Sequence, residues 1–412
     1  MYPQQNILVS DPVQSNVNQN SKCGYIFRIP KFAQGDCVSP ADWRFCSALF
    51  AAMIFLNYSA AADCDSPRDP EAAIIDCSQS INSGKWKGRY LAAFYSNRAA
   101  AYHEQGDIDR AIADLNEAIR LDPKLAMAFN NRGAAYNEQG DNDRAIADYN
   151  EAIRIDPKFA MAFTNRGNAF NDKGDNDRAI ADYNAAIRLD PKFAMAFQNR
   201  GSAYHDKGNN DRAIADYNEA IRLDPKHAKA FLGRGIAFSD KGDNDRAIAD
   251  YSEAIRLDPT SAMAFDNRGS AYHDKGDNDR AIADYNEAIR IDPKRAKAFN
   301  HRGYAYSDKG DNDRAIADYS EAIRIDPEDT SAFNGRGVAY RAKGDLDRAS
   351  ADYNEAIRLD PKSGKAFVGR GDVFSYKGDF ERAIADYDEA IRLNPKSALA
   401  YFARGRSYLF AG

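Results

Sequence analysis

The fold of this chain is decided by the stretch AMAFNNRGAAYNEQG (residues 126–140) and by RAIADYNEAIRI (residues 144–155), which follows it. In the first stretch, Phe129, Gly133 and Tyr136 are spaced three and four residues apart, so they share one face of a helix. The second stretch carries an apolar stripe at Ala145, Tyr149, Ala152 and Ile153. The two stretches therefore predict two amphipathic helices that pack against each other.

The ends of both helices are marked by residues with a clear physical role. Gly140 ends the first helix, since glycine adopts the left-handed conformation at little cost. Asp141 and Asp143 supply an N-cap and a favourable negative charge at the start of the second helix. Pro157, which would cost about 3 kcal/mol inside a helix, ends the second helix. These signals predict one helix–turn–helix unit.

The unit recurs every 34 residues along most of the chain. Prolines of an Asp-Pro or Asn-Pro step mark each copy, at Pro123, Pro157, Pro191, Pro225, Pro259, Pro293, Pro327, Pro361 and Pro395. Nine full repeats span residues 92–397, and a half repeat spans residues 398–412. A helix pair of this size cannot bury its apolar stripe alone, so the copies must stack on one another. The sequence predicts an all-α solenoid.

The repeat resembles the tetratricopeptide repeat (TPR) in its length and in its signature residues. In the copy at residues 126–159 these residues are Phe129, Gly133, Tyr136, Ala145, Tyr149, Ala152 and Pro157. The resemblance covers residues 92–412. It implies a right-handed superhelix of helix–turn–helix units whose first helices line the concave face. It also implies a scaffold without catalysis that binds a protein or an extended peptide in that concave groove.

One departure from the family occurs in every copy. Where the family usually has leucine before the glycine, this chain has Arg98, Arg132, Arg166, Arg200, Arg234, Arg268, Arg302, Arg336, Arg370 and Arg404. The second helices carry a recurring aspartate at Asp114, Asp148, Asp182, Asp216, Asp250, Asp284, Asp318, Asp352 and Asp386. We expect these residues to face each other between helices as partly buried, charge-assisted pairs.

Binding is predicted at the residue before each arginine, which the resemblance puts on the concave surface. This place holds Asn97, Asn131, Asn165, Asn199, Gly233, Asn267, His301, Gly335, Gly369 and Ala403. An amide offers both a donor and an acceptor, which suits the backbone of an extended peptide of any sequence. We predict that the polar row binds peptide, defined as Asn97, Asn131, Asn165, Asn199, Asn267 and His301. The alternative is that these residues are solvated filler left by recent duplication of very similar copies.

Metal binding and catalysis are not supported by the acidic stretch at residues 268–294. Its DKGDND run has the composition of a calcium loop, but the position of its glycine does not fit an EF-hand. The five histidines of the chain occur singly, and no nucleophile elbow, phosphate loop or H-E-x-x-H motif accompanies them. We predict no catalytic residue, no metal and no cofactor. His273 and Asp274 stay candidates for contact with a ligand.

Charge and hydropathy argue against a nucleic-acid partner and against an integral membrane span after signal cleavage. The net charge of −6 and the isoelectric point near 5.6 argue against a nucleic-acid-binding surface, which normally shows clustered Lys and Arg. No stretch reaches the roughly 18 continuous apolar residues that span a bilayer. The predicted partner is a protein or peptide.

Residues 1–62 are predicted to be an N-terminal extension that contains a signal peptide. The apolar run FCSALFAAMIFL (Phe45–Leu56) has the length of a signal-peptide core, and an A-x-A cleavage pattern follows at residues 60–62. We expect translation to begin near Val38 and the mature chain to be periplasmic or secreted by a bacterium. The alternative is a cytoplasmic chain, or one that the apolar run anchors to the membrane.

Two cysteines, Cys64 and Cys77, follow the predicted cleavage site. An exported compartment would permit a disulfide between them, and the alternative is two unpaired thiols in a cytosolic chain. Cys77 lies in AIIDCSQSI (Ala73–Ile81), which aligns with the AIADYNEAI of the repeats. Residues 63–91 are therefore predicted to be an orphan second helix that caps the solenoid, followed by a linker.

The C-terminal half repeat is apolar at Tyr408, Leu409 and Phe410. We expect these side chains to be exposed, and an apolar end without a polar cap is a candidate surface for self-association. This feature supports an alternative function, a structural, self-associating envelope protein that acts through the ends of its solenoid.

Overall fold

The structure is a computed structural model that describes residues 69–411 of the chain. This part of the chain forms twenty α-helices joined by short turns. The helices are α1 (Pro70–Asn82), α2 (Gly88–Glu104), α3 (Ile108–Leu121), α4 (Ala126–Glu138), α5 (Asn142–Ile155), α6 (Ala160–Asp172), α7 (Asn176–Leu189), α8 (Ala194–Asp206), α9 (Asn210–Leu223), α10 (Ala228–Asp240), α11 (Asn244–Leu257), α12 (Ala262–Asp274), α13 (Asn278–Ile291), α14 (Ala296–Asp308), α15 (Asn312–Ile325), α16 (Thr330–Ala342), α17 (Leu346–Leu359), α18 (Gly364–Tyr376), α19 (Phe380–Leu393) and α20 (Ala398–Ala411).

The described residues form two compact units, one that ends at Ala169 and one that begins at Phe170. In each unit the even-numbered helices are the first helices of the repeats, and the odd-numbered helices are the second helices. Within a unit, a first helix packs against the second helix of its own repeat and against the second helix that precedes it, as seen for α2, α4, α8, α10, α12, α14, α16 and α18. The all-α solenoid predicted from the repeats is confirmed.

The two kinds of helix lie on different sides of each unit. First helices contact the first helix of the next repeat, as α2 does with α4 and α10 with α12. Among the described residues of either unit, no second helix contacts the next second helix. The first helices are therefore closer together, and they line the inner face of the curve that each unit makes.

The turn inside each repeat forms as the sequence predicts. Gly140 follows α4 with a φ of +80°, in the left-handed region that favours glycine. The next residue, Asp141, accepts a hydrogen bond from the backbone N–H of Arg144 at 3.0 Å and so caps α5. The same arrangement recurs along the chain, which gives all the repeats the same turn.

The recurring arginines pair with the recurring aspartates, as predicted. Arg132 donates from Nε to Oδ2 of Asp148 at 2.8 Å and from Nη2 to Oδ1 at 2.6 Å. Its Nη1 donates to Asn116 Oδ1, on the second helix of the preceding repeat, at 2.7 Å. The same two-bond pair joins Arg98 to Asp114, Arg200 to Asp216, Arg234 to Asp250, Arg268 to Asp284, Arg302 to Asp318, Arg336 to Asp352 and Arg370 to Asp386. Each of these arginines therefore joins three helices.

Helix α1 takes the place of a second helix ahead of the first repeat. Arg98 donates from Nη1 to Ser78 Oγ at 2.9 Å, as Arg132 does to Asn116. Cys77 is buried and packs with Phe94. Residues 1–62 and Cys64 lie outside the described residues, so the signal peptide and the disulfide stay predictions.

Candidate peptide-binding face

In the first unit, two amides of the polar row are linked through a third amide, that of Asn130. Asn165 donates from Nδ2 to Asn130 Oδ1 at 3.0 Å, and Asn130 donates from Nδ2 to Asn131 Oδ1 at 3.2 Å. Asn130 is 2% exposed, whereas Asn131 and Asn165 are half-buried. This amide chain leaves the Asn131 Nδ2 donor at one end and the Asn165 Oδ1 acceptor at the other.

Asn130 links the two amides of this chain, although it is not among the residues predicted from the sequence. It occupies the place before the polar row, which is buried in this repeat, and it orients the two amides on either side of it. The available signal was the doubled asparagine at residues 130–131, because a second amide beside the first has no apolar packing role.

The other members of the row stand at the same register on their own first helices. Asn97 lies on α2 in the first unit, and Asn199 and Asn267 lie on α8 and α12 in the second unit. All three are half-buried. The structure thus puts the predicted residues on the inner helices of their units, at places where a ligand could reach part of each side chain.

In the second unit, His301 belongs to a cluster of charged residues. Its Nδ1 lies 2.8 Å from Asp266 Oδ1, and Arg295 donates from Nε to Asp266 Oδ2 at 2.8 Å. Burial on its own would raise the pKa of the Asp266 carboxyl, but the hydrogen bonds and charges of His301 and Arg295 outweigh it, and the pKa is lowered. Asp266 therefore holds the imidazole ring in place, and the His301 side chain remains 37% exposed.

The glycines that interrupt the row have a packing role. A Cβ atom added to Gly233 would lie 2.5 Å from Cζ of Tyr217, which belongs to the preceding second helix. Gly335 and Gly369 meet the equivalent tyrosines, Tyr319 and Tyr353, at 2.6 Å and 2.4 Å. At these repeats a tyrosine ring lies directly on the backbone of the first helix, so an asparagine there would have to displace it.

His273, which the sequence leaves as a candidate for ligand contact, has a partner within the chain. Its Nε2 lies 2.9 Å from Oδ2 of Asp308 on the next first helix. His205 bridges to Asp240 at 2.7 Å in the same way. These histidines therefore join neighbouring first helices. Asp274 stays exposed.

Two features of residues 69–411 bear on the class of site. No group of three or more His, Cys, Asp or Glu side chains in this part of the chain is arranged to hold a metal ion. None of the helices described here is both long and apolar enough to cross a bilayer.

Comparison with protein families identifies the repeats. A family model described as TPR repeat matches residues 99–140, 133–171, 167–208, 201–242, 237–276, 269–310 and 371–409. A second, described as Tetratricopeptide repeat, matches residues 301–364. No curated protein sequence matches the chain.

Solved structures with a similar fold include other TPR proteins. The APC/C hetero-tetramer Cut9-Hcn1 matches with a TM-score of 0.54 and 16% identity, over 89% of this chain and 87% of that one. A tetratricopeptide repeat protein from Parabacteroides merdae ATCC 43184 matches with a TM-score of 0.49 and 21% identity, over 60% of this chain and 98% of that one. YrrB, described as a TPR protein with an unusual peptide-binding site, matches with a TM-score of 0.38 and 25% identity, over 46% of this chain and 97% of that one. The chain belongs to the TPR family, and its repeats indicate a protein-interaction scaffold.

Proposed function

We propose that the chain binds an extended segment of a partner protein along its first helices and has no catalysis of its own. The observation that carries this proposal is the amide chain of Asn165, Asn130 and Asn131. Because these amides hold one another, the donor and the acceptor at its two ends are oriented before a ligand arrives. Preorganisation of this kind reduces the entropy that binding must overcome. Every extended peptide offers a backbone N–H and a carbonyl to such a pair.

The second unit offers different contacts for the same kind of ligand. His301, fixed by Asp266, presents the Nε2 edge of its ring, and Asn267 adds an amide one repeat earlier. Met195 and Met263 are exposed early on their first helices, where they could contact apolar side chains of a ligand. In this proposal the Asn267 amide binds the ligand backbone in the second unit, and the two methionines and His301 select its side chains.

The test compares wild-type protein with a variant in which Asn131, Asn165 and Asn199 are all replaced by alanine. Fluorescence anisotropy against a library of short random-sequence peptides first identifies binders, and their dissociation constants are then measured for both proteins. Each lost hydrogen bond is worth about 0.5–1.5 kcal/mol, so we expect affinity to fall at least about tenfold. Equal affinity of the two proteins would remove the polar row from the proposal.

A matched control removes the same number of amides from the second helices. Asn116, Asn150 and Asn184 each accept a bond from an arginine Nη1. Serine already accepts that bond at Ser252 and Ser320, so Asn→Ser at all three places keeps the scaffold. This control should bind peptide as the wild type does.

We also propose that the scaffold works outside the cytosol. The support is in the sequence alone, in the apolar run Phe45–Leu56, the A-x-A pattern after it and the pair Cys64 and Cys77. Mass spectrometry of the mature protein should find an N-terminus at or just after residue 62. A mature chain that retains residues before Val38 would contradict export.

A further inference from the structure

The described part of the chain contains one unmatched helix of each kind. Helix α20 is a first helix, and no second helix from residues 69–411 packs on its far side. Helix α1 is a second helix, and no first helix from the same residues stands ahead of it. Each of the two helices presents the half of a repeat that the other lacks.

Helix α20 keeps the residues that bind a second helix, without their usual partners. A Cβ atom on Gly405 would meet nothing within 4 Å. At the equivalent glycines of other repeats, such as Gly133 and Gly269, it would lie 2.7 Å from a tyrosine ring. Arg404 bonds through Nη1 to Asp388 of the preceding second helix, but its Nε and Nη2 hold no aspartate among the described residues.

The apolar residues of α20 are uncovered for the same reason. Tyr401 is 45% exposed, whereas Phe333, at the same place in an inner repeat, is 9% exposed. Tyr408, Leu409 and Phe410 are exposed by 55%, 83% and 65%, which confirms the exposure expected from the sequence. This face is apolar around one arginine, which is what a second helix covers elsewhere in the chain.

Helix α1 carries the matching acid. The bond from Arg98 to Ser78 sets its register, so Asp76 occupies the place that Asp148 has in the repeat described above. Asp76 is half-buried, and no arginine of the described residues pairs with it. An arginine without its aspartate and an aspartate without its arginine thus stand at corresponding places on the two helices.

We infer that α20 of one copy packs on α1 of a second copy and completes a repeat head to tail. Arg404 then holds Asp76 of the second copy as Arg132 holds Asp148 within the chain. A contact between two α20 helices is disfavoured, because it would bring together the Arg404 side chains of both copies. The head-to-tail contact joins different surfaces, so it propagates to rings or to longer assemblies. It does not depend on the peptide-binding proposal.

Charge reversal at the joint tests this inference. Sedimentation velocity of the full chain over a wide concentration range should show wild-type mass rising with concentration. Arg404→Asp and Asp76→Arg should each weaken self-association at least about tenfold, because each places like charges in the joint. An equimolar mixture of the two variants should associate again, since the aspartate introduced in one copy then meets the arginine introduced in the other.

The mixture keeps the test informative if one variant loses part of its fold, which circular dichroism would show. Arg392→Asp, a charge reversal of an exposed arginine on the neighbouring helix α19, should leave association unchanged. A wild-type mass that stays monomeric throughout would overturn the inference. A mixture no heavier than its single variants would overturn it too, as would an equal effect of Arg392→Asp.

Discussion

The arginine that precedes the glycine in each repeat makes hydrogen bonds that leucine cannot make. Arg268 donates two bonds to Asp284, both at 2.7 Å, and a third to Ser252 Oγ at 3.0 Å. The bonds to Asp284 raise the pKa of the Arg268 guanidinium, so the guanidinium stays charged at all physiological pH values. A leucine at this place would make only apolar contacts, which do not fix the orientation of the neighbouring helices. The planar guanidinium instead fixes the register of three helices through bonds of defined geometry.

Removal of one partner of this pair is expected to destabilise its repeat. Asp284→Ala leaves the Arg268 charge largely buried without its acceptor, which should cost about 3 kcal/mol. Arg268→Leu combined with Asp284→Ala should cost less than the sum of the single changes, because no buried charge is left. Urea unfolding of the single and double variants measures this coupling. Strictly additive losses would show that the pair contributes nothing beyond its separate side chains.

His227 predicts a pH dependence that one substitution should remove. Burial lowers the pKa of its imidazole below the ordinary value of 6.5, so the folded protein favours the neutral ring. Stability should therefore be highest above pH 6.5 and should fall as the pH drops through the lowered pKa, where the unfolded chain binds the proton more readily. Phe159 and Phe193 occupy the equivalent place in the two preceding repeats. The His227→Phe variant should lose this part of the acid sensitivity, as thermal unfolding from about pH 7.5 to about pH 5 would show. The same pH slope in both proteins would contradict the assignment to His227.

At the scale of the helix pair, the contact between glycine and tyrosine sets how closely the two helices approach. A Cβ on Gly269 would lie 2.7 Å from Tyr285 Cε1 and 3.2 Å from the backbone oxygen of Ala281. The first repeat has a different residue pair at these two positions, with Ala99 in place of the glycine and Leu115 in place of the tyrosine. The larger residue on the first helix there is matched by a smaller one on the second helix. The separation of the helices is therefore a property of the residue pair.

Exchange of one residue pair for the other tests whether the pair sets the separation of the two helices. Gly269→Ala should destabilise the protein by about 1–3 kcal/mol through overpacking. Adding Tyr285→Leu should recover part of that loss, because it copies the pair of the first repeat. Gly405→Ala, where the space is open, should be neutral or stabilising by up to about 1 kcal/mol, since alanine favours helix. Thermal unfolding of the three variants gives the comparison. A loss at Gly405 equal to that at Gly269 would contradict the packing argument.

At the scale of the whole molecule, each repeat is held only by its neighbours, so local stability depends on how many neighbours a helix has. Among residues 69–411, helix α20 packs on α19 and α18 alone, and its outer face is exposed there. In dilute solution its amides should exchange with solvent at least about tenfold faster than those of α18. Hydrogen-exchange mass spectrometry measures both helices in one experiment, with peptides from α10 and α12 as interior controls. Equal exchange rates along the second unit would contradict the expectation that α20 is less stable locally than α18.

The fold was predictable because the same local signals recur in phase. Three of these signals are the glycine after α4, the aspartate cap of α5 and the proline after α5. Each affects only the few residues around it, so its effect can be predicted from the sequence. The arginine–aspartate pairs were predictable as well, because two opposite charges that recur at a fixed spacing have few other partners. The roles of Asn130 and Asp266 were not, since both depend on contacts with residues 29 to 35 positions away.

The sequence by itself determined the all-α repeat, its helix boundaries and the charged pairs, because these follow from interactions within one repeat that all its copies share. Tertiary structure decided which contacts the individual polar residues and glycines make. It joined Asn165 to Asn130 and paired His273 with Asp308. It also placed Tyr217 against Gly233 and left the space beside Gly405 open. Each of these outcomes depends on which side chain the next repeat brings within about 3 Å, a distance that spacing along the chain does not specify.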